Sequence, residues 1–207
     1  MNKITKIYYH KKNSSICDVY FSDTKKITLD NSYIGKYFLV EGSEISDKQL
    51  EKIVSENEYD RAKEKAFFLL TYRDHSVYEL KVKLRKRNFD EKVIDKTVEY
   101  LLENGYLNDK KFSEIYLNEL LNTKRSGMMI IRKKLFQKGL SRELINNLLN
   151  DLDDEIFHNN CLFHLQKKRK LLEKKHDENI KNKLYNYLSR KGFRYEIILN
   201  VFENENI

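Results

Sequence analysis

The sequence contains no proline and only six glycines among its 207 residues. Proline interrupts helices and glycine weakens them, so their scarcity favours long helices over a loop-rich all-β fold. The two cysteines, Cys17 and Cys161, are far apart in the chain. This spacing predicts reduced, partly buried thiols instead of a disulfide framework.

Long apolar segments are also missing. The longest apolar runs, such as residues 66–70, are much shorter than a membrane span. The first fifteen residues lack the continuous apolar stretch and the small-residue cleavage site of a secretory signal. We therefore expect a cytoplasmic protein with no membrane partner.

Catalytic motifs are absent as well. The sequence has no glycine-rich phosphate loop, no nucleophile elbow and no histidine in a recognisable triad setting. His158, Cys161 and His164 are close in sequence, but on a helix His164 lies about 240° around the axis from His158, and no fourth ligand is evident. We expect a protein that is not an enzyme and that uses no cofactor and no metal.

The net charge of +8 is concentrated after residue 59. Residues 1–59 carry nine basic and nine acidic side chains, whereas residues 60–207 carry 31 basic and 23 acidic ones. A basic surplus favours a polyanionic partner, but it also serves solubility or contact with an acidic protein surface.

The beginning of the chain predicts β-structure. Residues 4–10, 16–22 and 25–29 are short segments rich in β-branched and aromatic side chains, which is typical of a β-meander. A short helix is expected over residues 31–38 and a loop over residues 40–46. Ser46 or Asp47 can then cap a helix that begins at Lys48.

One six-residue phrase occurs three times in the remaining sequence, as LRKRNF, LFQKGL and LSRKGF. The leading residues Leu84, Leu135 and Leu188 are separated by 51 and 53 residues, a period typical of stacked helical repeats. In each phrase an asparagine or glycine stands where a helix ends in left-handed geometry, and the last apolar residue can contact the leucine. The phrase therefore predicts the end of one helix and the turn into the next.

Three helices are expected in each repeat. In the first repeat they cover residues 60–71, 76–87 and 90–103, and Ser76 and Glu79 form a capping box at the second helix. The predicted fold is mainly α, with three tandem three-helix repeats after a small β-containing N-terminal module. The predicted domains are the β module, a linker helix with the first repeat, the second repeat and the third repeat, over residues 1–45, 46–104, 105–151 and 152–207.

Three segments resemble the RecX family, the regulators of the RecA recombinase: RDHSVYELKVKLRKRNF at residues 73–89, GYLNDKKF at 105–112 and SGMMIIRKKLFQKGL at 126–140. The resemblance extends over residues 60–203. It implies an elongated, curved array that binds the RecA filament on single-stranded DNA, and also double-stranded DNA, and that lowers RecA ATPase and strand exchange. It further implies a monomer acting in homologous recombination, DNA repair and the SOS response.

Several positions that match the family pattern also have a structural interpretation. Gly105 is expected to end a helix, Asp109 to cap the next one, and Phe112 to lie in the core. Arg73, just before a capping serine, can fix a loop.

Basic residues are the candidate binding site. They cluster near the end of the second helix of each repeat and on the first helix of the third repeat, and they are predicted to contact DNA phosphates or acidic RecA surface. Cations near a helix C-terminus also stabilise the helix dipole, which is the structural alternative. The predicted residues are Arg73, Lys81, Lys83, Arg85, Lys86, Arg87, Lys124, Arg125, Arg132, Lys133, Lys134, Lys138, Lys167, Lys168, Arg169, Arg190 and Lys191.

Two other functions fit the same pattern. A direct DNA-binding protein built from helix-turn-helix-like units would use the same capped helices and basic surplus. A purely scaffolding protein would bind neither DNA nor RecA.

Overall fold

The computed structural model describes residues 2–11, 15–173 and 179–207. The N-terminal segment forms an antiparallel sheet of strand order β3-β2-β1-β4 with one short helix. This confirms the predicted β-meander and the predicted short helix. The elements are β1 Asn2–Tyr9, β2 Ile16–Phe21, β3 Lys26–Asp30, α1 Ser32–Lys36 and β4 Glu44–Ile45.

The loop expected over residues 40–46 contains a strand, so that expectation is wrong in part. Ile45 and Glu44 pair with Asn2 and Lys3 at the start of β1. The Asn2 side chain adds a 2.8 Å hydrogen bond to the Asp47 carboxylate. A strand of two residues is too short to show a period-two pattern in sequence, because its pairing depends on a partner more than forty positions away.

The remaining described residues are helical and form three consecutive sets of three helices, as predicted. A π-helical turn, Glu119–Thr123, extends α5. No helix within the described ranges is long and apolar enough to cross a membrane. The helices are α2 Asp47–Tyr72, α3 Val77–Arg85, α4 Glu91–Glu103, α5 Asp109–Asn118, α6 Met128–Gln137, α7 Arg142–Asn150, α8 Asp154–Glu173, α9 Ile180–Arg190 and α10 Tyr195–Asn204.

Helix α2 combines two elements that were predicted separately: a linker helix that begins at Lys48 and the first helix of the first repeat, over residues 60–71. It runs without interruption for 26 residues, and Ser46 forms a capping box with Gln49 at its start. Asn57, in its middle, is buried, and its side chain accepts from the Asp30 amide at 2.8 Å and donates to the Thr28 carbonyl at 3.4 Å. The sheet thus satisfies a polar side chain that is otherwise neutral to unfavourable in a helix interior.

The same helix fixes the N-terminal module in place. The hydroxyls of Tyr33 and Tyr37 donate to the carboxylates of Asp60 and Glu56 at 2.5 and 2.6 Å. Leu50 and Ile53 of α2 share an apolar core with residues of all four strands and α1. The β module and the first helix of the repeats therefore form one packed body.

The chain divides into two compact units, residues 1–73 with 80–106 and residues 74–79 with 107–207. The first holds the β module and the helical core around Leu84, and the second holds separate cores around Leu135 and Leu188. All three recurring leucines are 0% exposed. The repeated phrase therefore places its leucine at the centre of each core, as expected.

In the second unit, two of the repeated segments, residues 135–140 and 188–193, also accept a hydrogen bond from the start of another helix. The Lys138 carbonyl accepts a 2.6 Å hydrogen bond from the Ser76 hydroxyl, and the Lys191 carbonyl accepts a 2.9 Å bond from the Gly127 amide. Ser76 and Gly127 occupy equivalent positions, eight residues before Leu84 and Leu135. The same contact is thus made twice, each time between the beginning of a second helix and the turn that ends the second helix of the following repeat.

This contact explains why two turns use glycine and the third uses asparagine. Gly139 and Gly192 have φ of +77° and +88°, and Asn88 has φ of +60°. A Cβ atom on Gly139 would lie 2.2 Å from Cβ of Tyr78, and one on Gly192 would lie 2.5 Å from Cγ1 of Ile130. Asn88 is exposed, and asparagine tolerates left-handed geometry, so a side chain is accommodated there.

The capping prediction for Asp109 is wrong. The side chain of Asn108 caps α5 by accepting from the Lys111 amide at 3.0 Å. The Asp109 carboxylate instead accepts from the amide of Val77, the first residue of α3, at 2.8 Å. The amide it satisfies lies 32 positions earlier in the chain, and no local pattern indicates that pairing.

Glycine-to-alanine substitutions at Gly139 and Gly105 should separate backbone strain from steric exclusion. Both residues have positive φ, but nothing lies within 4 Å of a Cβ added to Gly105. We expect G105A to lower the free energy of unfolding by about 1 kcal/mol. G139A should lower it by about 2–4 kcal/mol, because Tyr78 must also move. Denaturant unfolding of both variants measures this, and equal losses would contradict packing against the Gly139 turn.

Candidate functional site

Apart from Arg73, the predicted basic residues fall into two groups according to what their charged groups contact. The first group is paired with carboxylates. Lys81 binds Asp95 at 2.6 Å, and Arg169 binds Glu173 at 2.7 Å on the same helix. The other pairs are Arg85 with Glu91, Lys124 with Glu119, and Lys138 with Glu79.

Lys138 has the most buried ion pair of this group. Its side chain is 24% exposed and that of Glu79 only 14%. The ammonium also lies 5.1 Å from the centroid of the Tyr116 ring, and the Lys138 carbonyl accepts from Ser76. The ammonium and the carbonyl of Lys138 therefore both stabilise the start of α3, so this residue has a structural role.

The second group has exposed or half-buried cationic groups that pair with no carboxylate among the described residues. Such cations are available to an external anion, because no carboxylate of the described residues competes for them. Their exposure keeps them hydrated and accessible. They are Lys83, Lys86, Arg87, Arg125, Arg132, Lys133, Lys134, Lys167, Lys168, Arg190 and Lys191.

In the third repeat, an open cavity of about 690 Å³ gathers cations from α8 and α9. Lys168 lies on one side, and Lys183 and Arg190 lie on the other. Lys183 was not in the predicted set, although it is seven residues before Arg190 and so shares its helix face. Asn186 and Ser189 add hydrogen-bonding groups, so the cavity suits a phosphate or a carboxylate.

Aromatic rings lie against one of these cations, Lys168, and against two others, Lys191 and Arg125. The ammonium groups of Lys168 and Lys191 lie 5.5 and 5.6 Å from the centroid of the Tyr187 ring. The guanidinium of Arg125 lies 4.1 Å from the Phe163 ring. A cation held against an aromatic face loses less conformational entropy when it binds an anion, because its side chain is already restrained.

Each of the other two repeats has a smaller cavity with its own cations. In the first repeat, Arg87 meets Arg61 and Lys65 of α2 around about 420 Å³. In the second, Arg132 and Lys133 meet Arg142 of α7 around about 460 Å³. Arg61, Lys65 and Arg142 were absent from the prediction, since no motif marks a cation that reaches the site from a neighbouring helix.

Other predicted residues are placed as follows. Arg73 is exposed directly after α2, and it has a polar contact within the chain. Lys174 and Lys175, which extend the basic run of the third repeat, lie outside the described residues. Cys17 and Cys161 are free and buried, as expected, and burial raises the pKa of their thiols to about 11 and about 12.

His164 has a structural position between the second and third repeats. It is 7% exposed, its Nε2 lies 3.1 Å from the Arg125 carbonyl, and its Nδ1 lies 3.3 Å from the Tyr187 hydroxyl. Both ring nitrogens thus have partners within the protein. Burial, with the nearby charges of Lys191 and Lys167, lowers the pKa of His164 below its usual value of 6.5.

Stability should therefore fall as the solution becomes acidic. A folded-state pKa below the unfolded value means that the unfolded chain binds the proton more tightly, so the contribution of neutral His164 is present above about pH 6.5 and is lost below it. We expect H164Q to show a smaller loss of unfolding free energy than the parent protein between about pH 8 and about pH 5.5. Urea unfolding at both pH values measures this. Identical pH dependence in the two proteins would contradict it.

Removing the lysine should lower the free energy of unfolding more for the half-buried Lys138–Glu79 pair than for the exposed Lys124–Glu119 pair. K138M leaves the half-buried Glu79 carboxylate without its ammonium, and we expect a loss of about 2 kcal/mol in the free energy of unfolding. K124M breaks an exposed pair and should change it by about 0.5 kcal/mol or less. Equal effects in denaturant unfolding would show that Lys138 has no structural role beyond that of a surface cation.

The repeats match known protein families individually. A model of the first three-helix domain of RecX matches residues 62–101, the second domain matches residues 108–149, and the third matches residues 154–202. These matches follow the three helix sets in the same order.

Relatives match over nearly the whole chain. The regulatory protein RecX of Clostridioides difficile (strain 630) is 30% identical over 97% of this chain and 94% of its own length. The regulatory protein RecX of Clostridium tetani (strain Massachusetts / E88) is 31% identical over 97% of this chain and 93% of its own length.

Two solved structures share the fold. A crystal structure of a regulatory protein RecX has a TM-score of 0.70 at 20% identity and covers 98% of this chain and 100% of its own. The crystal structure of RecX from Lactobacillus salivarius has a TM-score of 0.63 at 25% identity. The match covers 71% of this chain and 96% of the Lactobacillus salivarius chain. With three consecutive domain matches and relatives of about the same length, this chain belongs to the RecX family of regulatory proteins.

Proposed function

We propose that this protein is a non-enzymatic regulator that binds the RecA filament on single-stranded DNA and lowers its ATPase and strand-exchange activity. The observation that carries the proposal is the combination of RecX family membership with exposed cations that have no carboxylate partner among the described residues. RecA is the partner, the protein acts as a monomer in the cytoplasm, and double-stranded DNA is a second ligand.

Binding is assigned first to the cations that remain free for an external anion. In the third repeat these are Lys168 and Arg190, which converge on one cavity that Lys183 also lines. Lys81, Arg85 and Lys138 contribute less, because each must first give up a carboxylate partner. Ion-paired cations thus have a lower priority among the binding residues predicted from sequence. The cavities add four cations that were not predicted: Lys183, Arg61, Lys65 and Arg142.

Inhibition requires that the protein distinguish between states of the filament. A ligand that binds two states equally shifts nothing, so this protein must bind an inactive or terminated filament more tightly, or block addition of DNA or of RecA subunits. Cations arranged for phosphates provide affinity for DNA-bearing filaments of either state. The discrimination must then come from contacts with RecA itself.

The proposal predicts that charge reversal in the third-repeat cavity impairs inhibition. We expect the parent protein, titrated into RecA on single-stranded DNA, to lower the ATPase rate at stoichiometric amounts. The K168E/R190E double variant should need about tenfold more protein, since two favourable charge contacts become repulsive. K170E, an exposed cation on the same helix outside the cavity, is the matched control and should act as the parent does. An ATPase rate unaffected by the parent protein would refute the proposed function.

A direct DNA-binding function is the second candidate, and the same cavity favours it. A protein that acts only on phosphates should bind naked DNA without RecA, and its affinity should fall by about 10³-fold or more between about 50 and 200 mM salt if it neutralises six or more phosphates. Fluorescence anisotropy with a labelled oligonucleotide measures this. Tight DNA binding with no effect on RecA would select this alternative.

A further inference from the structure

The second repeat has a groove that the DNA-phosphate interpretation does not explain. It lies between α6 and α7, has a volume of about 460 Å³, and is flanked by Met129 and Phe136. These two side chains are 63% and 58% exposed. Exposed large apolar side chains beside a cavity of ligand-pocket size indicate a contact surface for another molecule.

Helix α6 is apolar on two sides. Met128, Ile131 and Leu135 are buried in the core of the second repeat. Met129 and Phe136 lie seven residues apart on a different face, about 10.5 Å along the helix axis. Since the core already has its own stripe of α6, the exposed pair does not contribute to closing the three-helix fold.

The other repeats do not keep this apolar pair. The positions equivalent to Met129 and Phe136 are Tyr78 and Arg85 in the first repeat. In the third repeat they are Asn182 and Ser189. A pair required by the repeat scaffold would be apolar in each copy, so the pair in the second repeat serves something specific to that repeat.

The groove is also positively charged. Arg132 lies between the two apolar residues on α6, and its guanidinium donates a 2.6 Å hydrogen bond to the Asn146 side chain on α7. Lys133 and Arg142 line the same groove, and no carboxylate of the described residues lines it or pairs with these three cations. Any occupant must therefore supply both apolar groups and negative charge.

We propose that this groove binds an acidic amphipathic helix of a partner protein. Apolar anchors two turns apart on such a helix would match the spacing of Met129 and Phe136, as in helix-in-groove recognition, and its carboxylates would pair with Arg132, Lys133 and Arg142. A nucleic-acid strand fits less well, since the Met129 thioether offers nothing to a phosphate. The proposal does not require that the partner be RecA.

The three methionines of the chain, Met1, Met128 and Met129, allow a direct test. The full-length protein carries ¹³C-methyl methionine, and Met129→Leu assigns the resonance of the exposed methyl group. Met128, 9% exposed and next in sequence, is the internal control for the fold. The probe is a designed peptide of about 18 residues, long enough for partial helicity, with leucine and phenylalanine on one face and glutamate on the others.

We expect this peptide to shift the Met129 methyl resonance saturably while the Met128 resonance moves much less. A peptide with lysine in place of glutamate should bind about tenfold more weakly, as should one with serine in place of its apolar residues. F136S and R142E should each weaken binding of the acidic peptide about tenfold. I115S and K170E remove an exposed apolar residue and an exposed cation elsewhere in the same unit, and they should leave the affinity within about twofold.

Three results would overturn the proposal: no saturable shift at millimolar peptide, equal binding of the lysine peptide, or a larger Met129 shift with oligothymidylate than with the acidic peptide. The last would assign the groove to nucleic acid. Because RecA is absent from the assay, each of these results is independent of the ATPase experiment.

Discussion

The structure of the second unit depends on a backbone carbonyl that follows each glycine-terminated helix. The carbonyls of Lys138 and Lys191 accept hydrogen bonds from the start of another second helix, through Ser76 in one case and Gly127 in the other. Because the approaching helix comes within van der Waals distance of the turn, the residue there can have no side chain. The close contact therefore determines the choice of glycine at Gly139 and Gly192, whereas Asn88 adopts the same left-handed conformation with a side chain.

The same contact determines what the neighbouring cations can do. Lys138 belongs to the turn. Its carbonyl accepts a hydrogen bond from Ser76 at the start of α3, and its ammonium pairs with Glu79 in the first turn of the same helix. Lys191 is placed equivalently but lies against Tyr187, close to the open cavity of Lys168 and Arg190. Equivalent positions in a repeat thus have different roles, since the partner available to each cation differs. Repetition of charge in the sequence does not by itself produce repetition of binding sites.

The cations of the repeats are placed in two chemical settings. Five of the six residues that line the cavity of the third repeat are polar or cationic, which suits phosphates. The groove of the second repeat sets exposed Met129 and Phe136 beside its cations, which suits a peptide with both apolar and acidic residues. The proposed action on the RecA filament would need recognition of both RecA and DNA, because phosphates alone cannot distinguish one filament state from another.

Local periodicity and capping were enough to predict strands β1 to β3, the three helix sets, the buried Leu84, Leu135 and Leu188, and the turns after them. They could not give β4, the continuity of α2 or the contact from Asp109 to Val77, because each depends on a partner that lies far away in the chain or on packing that removes an expected boundary. The same reason applies to the candidate site. A basic residue can be identified from sequence, but whether its charge is free or neutralised depends on which carboxylate the tertiary structure brings within 4 Å of it.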